Sequence, residues 1–118
     1  MMPEPVATFR PQERVRAHAD YQRIYAHGVK VHSSAFTLFR APNGRPEGRL
    51  GIAATRKLGG AVVRNKAKRL VRETFRHNKL APGYDIVVVP KRPMLDLSLA
   101  DLALEFRHQL DRSTRRPR

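Results

Sequence analysis

The densest chemistry in the chain lies between Arg56 and Arg76, where 21 residues carry eight Arg or Lys and a single acid, Glu73. At 100° per residue, Asn65, Lys68, Arg69, Arg72 and Arg76 fall on one arc of a helix. Val63, Ala67, Leu70, Val71, Thr74 and Phe75 fall on the opposite arc. A solvated helix face is normally laced with i, i+4 ion pairs, and one Glu cannot supply them. The arc is therefore almost unpaired positive charge, with Asn65 adding a donor and an acceptor. Gly59-Gly60 lets the backbone approach a phosphate closely, and the helix opens there with free N–H groups. This pattern is that of a nucleic-acid-binding face.

A second constellation is aromatic. Tyr21, Ile24 and Tyr25 recur at the i, i+3, i+4 spacing of one helix face, and Phe39 lies in an alternating extended run. Two readings of these rings stand side by side. They are core residues of the first helix, with hydroxyls that need partners if buried, or they form a platform on which unpaired bases stack.

Other chemistries lack their residues. The five His are scattered and none belongs to H-E-x-x-H. The glycines form neither G-x-G-x-x-G nor a Walker loop, and Ser33-Ser34 has no flanking glycines of a nucleophile elbow. Asp96, Asp101, Glu105 and Asp111 cluster only as a solvated helix face would. The absence of Cys excludes disulfides and thiol catalysis. No apolar run approaches the length of a membrane span, and the first residues have no apolar signal region, so a soluble, cytoplasmic protein is expected. The 24 Lys and Arg against 10 acids give a net charge of +14, which a polyanion would screen. Arg outnumbers Lys, 18 to six, as suits forked phosphate contacts and stacking on bases. Nucleic acid is the expected partner; a membrane surface would call for interfacial aromatics, and there is no Trp.

One domain fits the 118 residues. Residues 1–13 read as a loose Pro-rich arm, 14–112 as the folded domain and 113–118 as a basic disordered tail. A helix is predicted over 17–27, with Asp20 in its first turn and Gly28 as its stop. Extended chain follows over 29–41, then a turn over 42–48 and a strand over 49–55, read together as antiparallel strands. The basic helix spans 61–79. Residues 84–90 form a continuous β-branched run, expected of a strand covered on both faces. Ser98 with Asp101 resembles a capping box for a last helix that buries Leu99, Leu102, Ala103, Phe106 and Leu110. The order α-β-β-β-α-β-α defines an α+β fold.

The stretch from Gly51 to Arg76, with Arg64-Asn65-Lys66, Lys68-Arg69 and Arg72-Glu73 at its centre, resembles the signature of the bacterial ribonuclease P protein subunit. Lys66 stands where the family most often has Arg. Residues 20–28 are similar to the family's first helix, with Tyr21 and Tyr25 at its usual Phe positions. Phe36-Thr-Leu-Phe39 resembles its central strand and Asp85–Val89 its last. The resemblance implies an α–β sandwich with a left-handed βαβ crossover, monomeric as a free protein. It further implies a protein cofactor without an active site of its own, partnered by a catalytic RNA that holds Mg²⁺ and cuts precursor tRNA at the mature 5′ end. On this resemblance Arg56, Lys57, Arg64, Asn65, Lys66, Lys68, Arg69, Arg72 and Arg76 dock on the catalytic RNA. Tyr21, Tyr25 and Phe39 line a cleft for the single-stranded 5′ leader. A ribosomal or other structural RNA-binding protein would need the basic face but no cleft, and an architectural DNA-binding protein would show dimer-forming heptads or an apolar wedge.

Overall fold

The computed structural model describes residues 13–78 and 82–115. The expected arm at 1–12, the expected helix end at Lys79 and the tail at 116–118 lie outside the described residues. The elements are α1 (His18–His27), β1 (Val29–His32), β2 (Phe36–Pro42), β3 (Arg49–Ile52), α2 (Ala61–His77), β4 (Tyr84–Pro90) and α3 (Leu99–Arg115). A 3₁₀ turn over Arg92–Asp96 precedes α3.

The β-branched run of β4 explains the architecture. Ile86 and Val88 enter one core with Phe36, Leu38, Leu50, Val71, Phe75 and Phe106. Val87 and its half-buried neighbour Val89 face the other side, with Ile24, Ala41 and Val15. A strand feeding two apolar layers has to be central, and the sheet order is β1-β2-β4-β3. Helices α2 and α3 cover one face, and α1 covers part of the other.

This order corrects the expectation of consecutive antiparallel strands. β1 and β2 do pair antiparallel, from Val29↔Arg40 to His32↔Thr37. β3 instead pairs parallel with β4, from Arg49↔Asp85 to Ile52↔Val88, because β4 inserts between it and β2. α2 is therefore the crossover of a parallel βαβ unit. β3 also stops at Ile52 rather than Thr55. Ala53 still donates to the Val88 carbonyl at 2.9 Å, but a turn then closes with Leu58 N–H on the Thr55 carbonyl at 3.0 Å.

Two further corrections concern α3. Leu99 is 47% exposed, because the buried stripe starts one turn later and takes Leu102, Phe106, Gln109, Leu110 and Ser113. Gln109 is satisfied there by Glu105 and Arg112, at 2.7 Å each. The expected disorder from 113 is replaced, over 113–115, by the last turn of α3. Ser113 is fully buried and accepts from Arg40 Nε at 3.1 Å, while its carbonyl accepts a second Arg40 nitrogen at 3.1 Å. The Arg40 guanidinium lies 4.3 Å from the Tyr84 ring centroid, so a tertiary clamp holds a segment whose composition reads as unstructured. At the other end, Glu13, placed in the arm from sequence, is buried. The predicted cap is present: Asp101 N–H donates to Ser98 Oγ at 3.1 Å.

Candidate nucleic-acid interface

α2 buries the arc predicted for it. Ala67, Val71, Thr74 and Phe75 are buried, and Val63 and Leu70 pack at the edge of the core. Its approach is a tight turn in which Leu58 is buried while Arg56 and Lys57 stand exposed at the tip. Gly59, at φ 151°, faces the helix, where a Cβ would lie 3.0 Å from Val63 Cβ; Gly60 opens to empty space. Gly60 caps α2 in extended conformation without a side-chain partner, so the first N–H groups of the helix lie beside an uncovered backbone.

The opposite arc resolves into two rows. Arg64, Lys68 and Arg72 succeed one another at i, i+4, i+8 and form a row beside β3. Asn65 and Arg69 are exposed on the outer side, and Lys66 lies beyond them on the far shoulder. Arg76 turns back to Glu73, which also faces His77 at 3.8 Å. Among the described residues, Arg64, Lys66, Lys68, Arg69 and Arg72 make no ion pair, nor do Arg56 and Lys57. Most of the positive charge of the face is thus uncompensated.

The three rings named from sequence meet. Tyr25 lies edge-on to Phe39 with centroids 4.9 Å apart, and Tyr21 is 6.2 Å from Tyr25 at a tilt of 49°. They are neither simply core nor simply surface. Tyr21 and Phe39 are half-buried at the margin of the second core, and Tyr25 is 42% exposed. Burial raises the Tyr21 hydroxyl pKa against a hydrogen bond from the Ile52 backbone, and burial with the neighbouring Tyr21 raises that of Tyr25. Both therefore present neutral rings at physiological pH.

Several participants escaped sequence reasoning. Tyr21 rests on Gly51, where a Cβ would come 2.7 Å from the Tyr21 hydroxyl. The chain before α1 runs along β3, with Val15 N–H on the Leu50 carbonyl at 2.9 Å. Arg14, Tyr21, Gly51, Lys68 and Arg72 consequently line one hollow of about 130 Å³, which joins the basic row of α2 to the aromatic group. On the other side of the rings, Lys30 Nζ lies 5.5 Å from the Phe39 centroid, across the Lys30↔Phe39 pair of β1 and β2. Period-2 alternation puts Lys30 on a face, but only the strand register brings it to Phe39. Among the described residues, no group of three or more His, Asp or Glu gathers as a metal site, and no helix is long and apolar enough to cross a membrane.

The fold and this surface define a small α+β protein whose crossover helix offers unpaired basic charge beside an aromatic groove. Residues 9–114 match the family model of Ribonuclease P. The Ribonuclease P protein component of Syntrophobacter fumaroxidans is 42% identical over 101 residues, covering 83% of this chain and 85% of that protein. The RNase P protein structure of Staphylococcus aureus superimposes with a TM-score of 0.73 at 36% identity, over 84% of this chain and 93% of that one. The RNase P protein of Thermotoga maritima gives a TM-score of 0.74 at 33% identity, over 90% and 99%. The chain belongs to the ribonuclease P protein family and is a protein component of this tRNA-processing endoribonuclease.

Proposed function

We propose that the chain serves as the protein cofactor of a ribonucleoprotein in which the RNA does the chemistry. The outer face of α2, with Arg56 and Lys57, docks on the catalytic RNA. Tyr21, Tyr25 and Phe39 receive the single-stranded 5′ leader of precursor tRNA. The Mg²⁺ ions sit in the RNA; the protein's part is electrostatic and positional. Catalyst and substrate are both polyanions, and a +14 subunit between them offsets their repulsion. Leaders vary in sequence, so stacking and phosphate contacts suit the groove better than base-edge hydrogen bonds.

The observation that carries this reading is the hollow shared by Tyr21, Lys68 and Arg72. A strand leaving the basic row meets aromatic rings without leaving the surface. The test is reconstitution with a bacterial ribonuclease P RNA and precursor-tRNA cleavage at low Mg²⁺, with and without the protein. A clear gain in cleavage is expected, and no gain overturns the proposal. Equal affinity of the complex for precursor and mature tRNA would instead indicate a structural RNA-binding protein without a leader groove.

A further inference from the structure

α1 is ten residues long and has no side-chain cap, so its own propensity holds it weakly and tertiary contacts decide how it sits. Its one buried apolar side chain is Ile24. A single apolar knob fixes where a helix lies but not its roll about its own axis. At 100° per residue, Asp20 and Arg23 fall on one flank of Ile24, and Tyr21 and Tyr25 on the other.

The polar flank is latched. Arg23 donates to Asp85 Oδ2 at 2.5 Å and to the Pro42 carbonyl at 3.0 Å. Arg49 donates to both Asp85 oxygens, at 2.8 and 2.7 Å, and lies 3.5 Å from Asp20. Asn43 fills a further acceptor position on Asp85 at 3.0 Å. The Asp85 side chain is fully buried. Two aspartates and two arginines neutralise one another, so the cluster has no charge to spare for an RNA phosphate.

We infer that Asp85 is a positioning residue for the aromatic groove: through Arg23 it fixes the roll of α1, which holds Tyr25 against Phe39 and Tyr21 against Gly51. Each degree of roll would swing the tyrosines across the groove, and a latch on the opposite flank resists it. Supporting groups of this kind set a binding site's precision without touching the ligand. The functional half of this inference rests on the proposed leader groove; the geometric half does not.

The test uses Arg23→Ala, which removes the main latch of α1, leaving only the longer Asp20–Arg49 pair on that flank, and leaves the buried Asp85 its Arg49 partner. In the full-length protein alone, nuclear Overhauser contacts between the Tyr25 and Phe39 rings are expected to weaken while those of the Phe36–Phe106 core persist. In the reconstituted complex, the preference for precursor over mature tRNA should fall about fivefold or more, the lower range of one lost base stack. Arg23→Ala should add nothing in a Tyr25→Ala background, and Arg23→Lys should restore part of the preference. Unchanged ring contacts, or losses that simply add in the double variant, would overturn the inference. An Arg23→Ala chain that melts as a whole, with Arg23→Lys melting early but keeping native ring contacts and preference, would also overturn it. If instead the ring contacts depend on Arg23 while Tyr25→Ala leaves tRNA preference intact, positioning stands and the leader reading fails.

Discussion

Arg49 and Arg72 carry the same guanidinium into opposite surroundings. Arg49 is 9% exposed and donates two hydrogen bonds to a fully buried Asp85; Arg72 is exposed on α2 and makes no ion pair among the described residues. Around Asp85 the arginines are consumed by the fold. On α2 the charge is left over, and the surplus points to a polyanion. A count of arginines cannot separate these uses; the position of the acids can. Asp20 and Asp85 stand within reach of Arg23 and Arg49, whereas the single acid of α2 is taken up by Arg76 and His77.

The largest expected effect breaks the consumed side. Asp85→Ala leaves the buried Arg49 without its two hydrogen-bonded carboxylate contacts and with only the half-buried Asp20 at 3.5 Å, and losing one partner of a buried pair costs about 3–5 kcal/mol. Urea unfolding would measure it, and a loss below ~1 kcal/mol would show that the pair is dispensable. The same pair predicts a pH dependence. Burial alone would raise the Asp85 pKa, but hydrogen bonds and charge from Arg49, with Asn43 and Arg23, outweigh it and hold the carboxyl below its usual range. A carboxylate with a lower pKa folded than unfolded stabilises the fold at neutral pH, and the contribution is lost as pH falls through the folded value. Thermal midpoints should therefore drop on the acid side of about pH 4, and less steeply in Asp85→Asn.

Intermediate effects belong to the groove between the two regions. Tyr25→Ala should weaken binding of leader-bearing precursor tRNA by about 1–3 kcal/mol and leave mature tRNA nearly unaffected. Tyr25→Phe should keep most of the affinity, since stacking needs the ring. Equal losses for both tRNAs would return Tyr25 to a purely structural role. The smallest effect on the fold is expected on the surplus side. Arg69→Ala and Arg72→Ala should each stay within about 0.5 kcal/mol of the parent in stability. Each should also reduce the slope of log affinity for the RNA against log salt by roughly 0.7–0.9. Early melting of either variant would move that residue from the interface into the structure.

Local pattern carried the reading of α2, whose two arcs follow from helical period alone, and of β4, whose unbroken β-branched run demands cover on both faces. The cap at Ser98 is local as well. Pattern failed where partners are distant. Nothing near Ser113 announces that Arg40, 73 residues earlier, will clamp the helix end. Leu99 fits the helical stripe of α3, yet the stripe outruns the surface it packs on.

By itself, the sequence determined the element order, the apolar faces of α2 and β4, and the excess of positive charge on α2. Each of these is periodic or compositional and needs no knowledge of what lies across the fold. Tertiary structure decided that β4 separates β2 from β3, that Tyr21 lies against Gly51 beside Lys68 and Arg72, and which arginines are neutralised. Arg23 and Asp85 are 62 residues apart, Arg49 and Asp85 36. Whether a charge is spent or left over depends on contacts at such separations, and those exist only once the sheet has set its register.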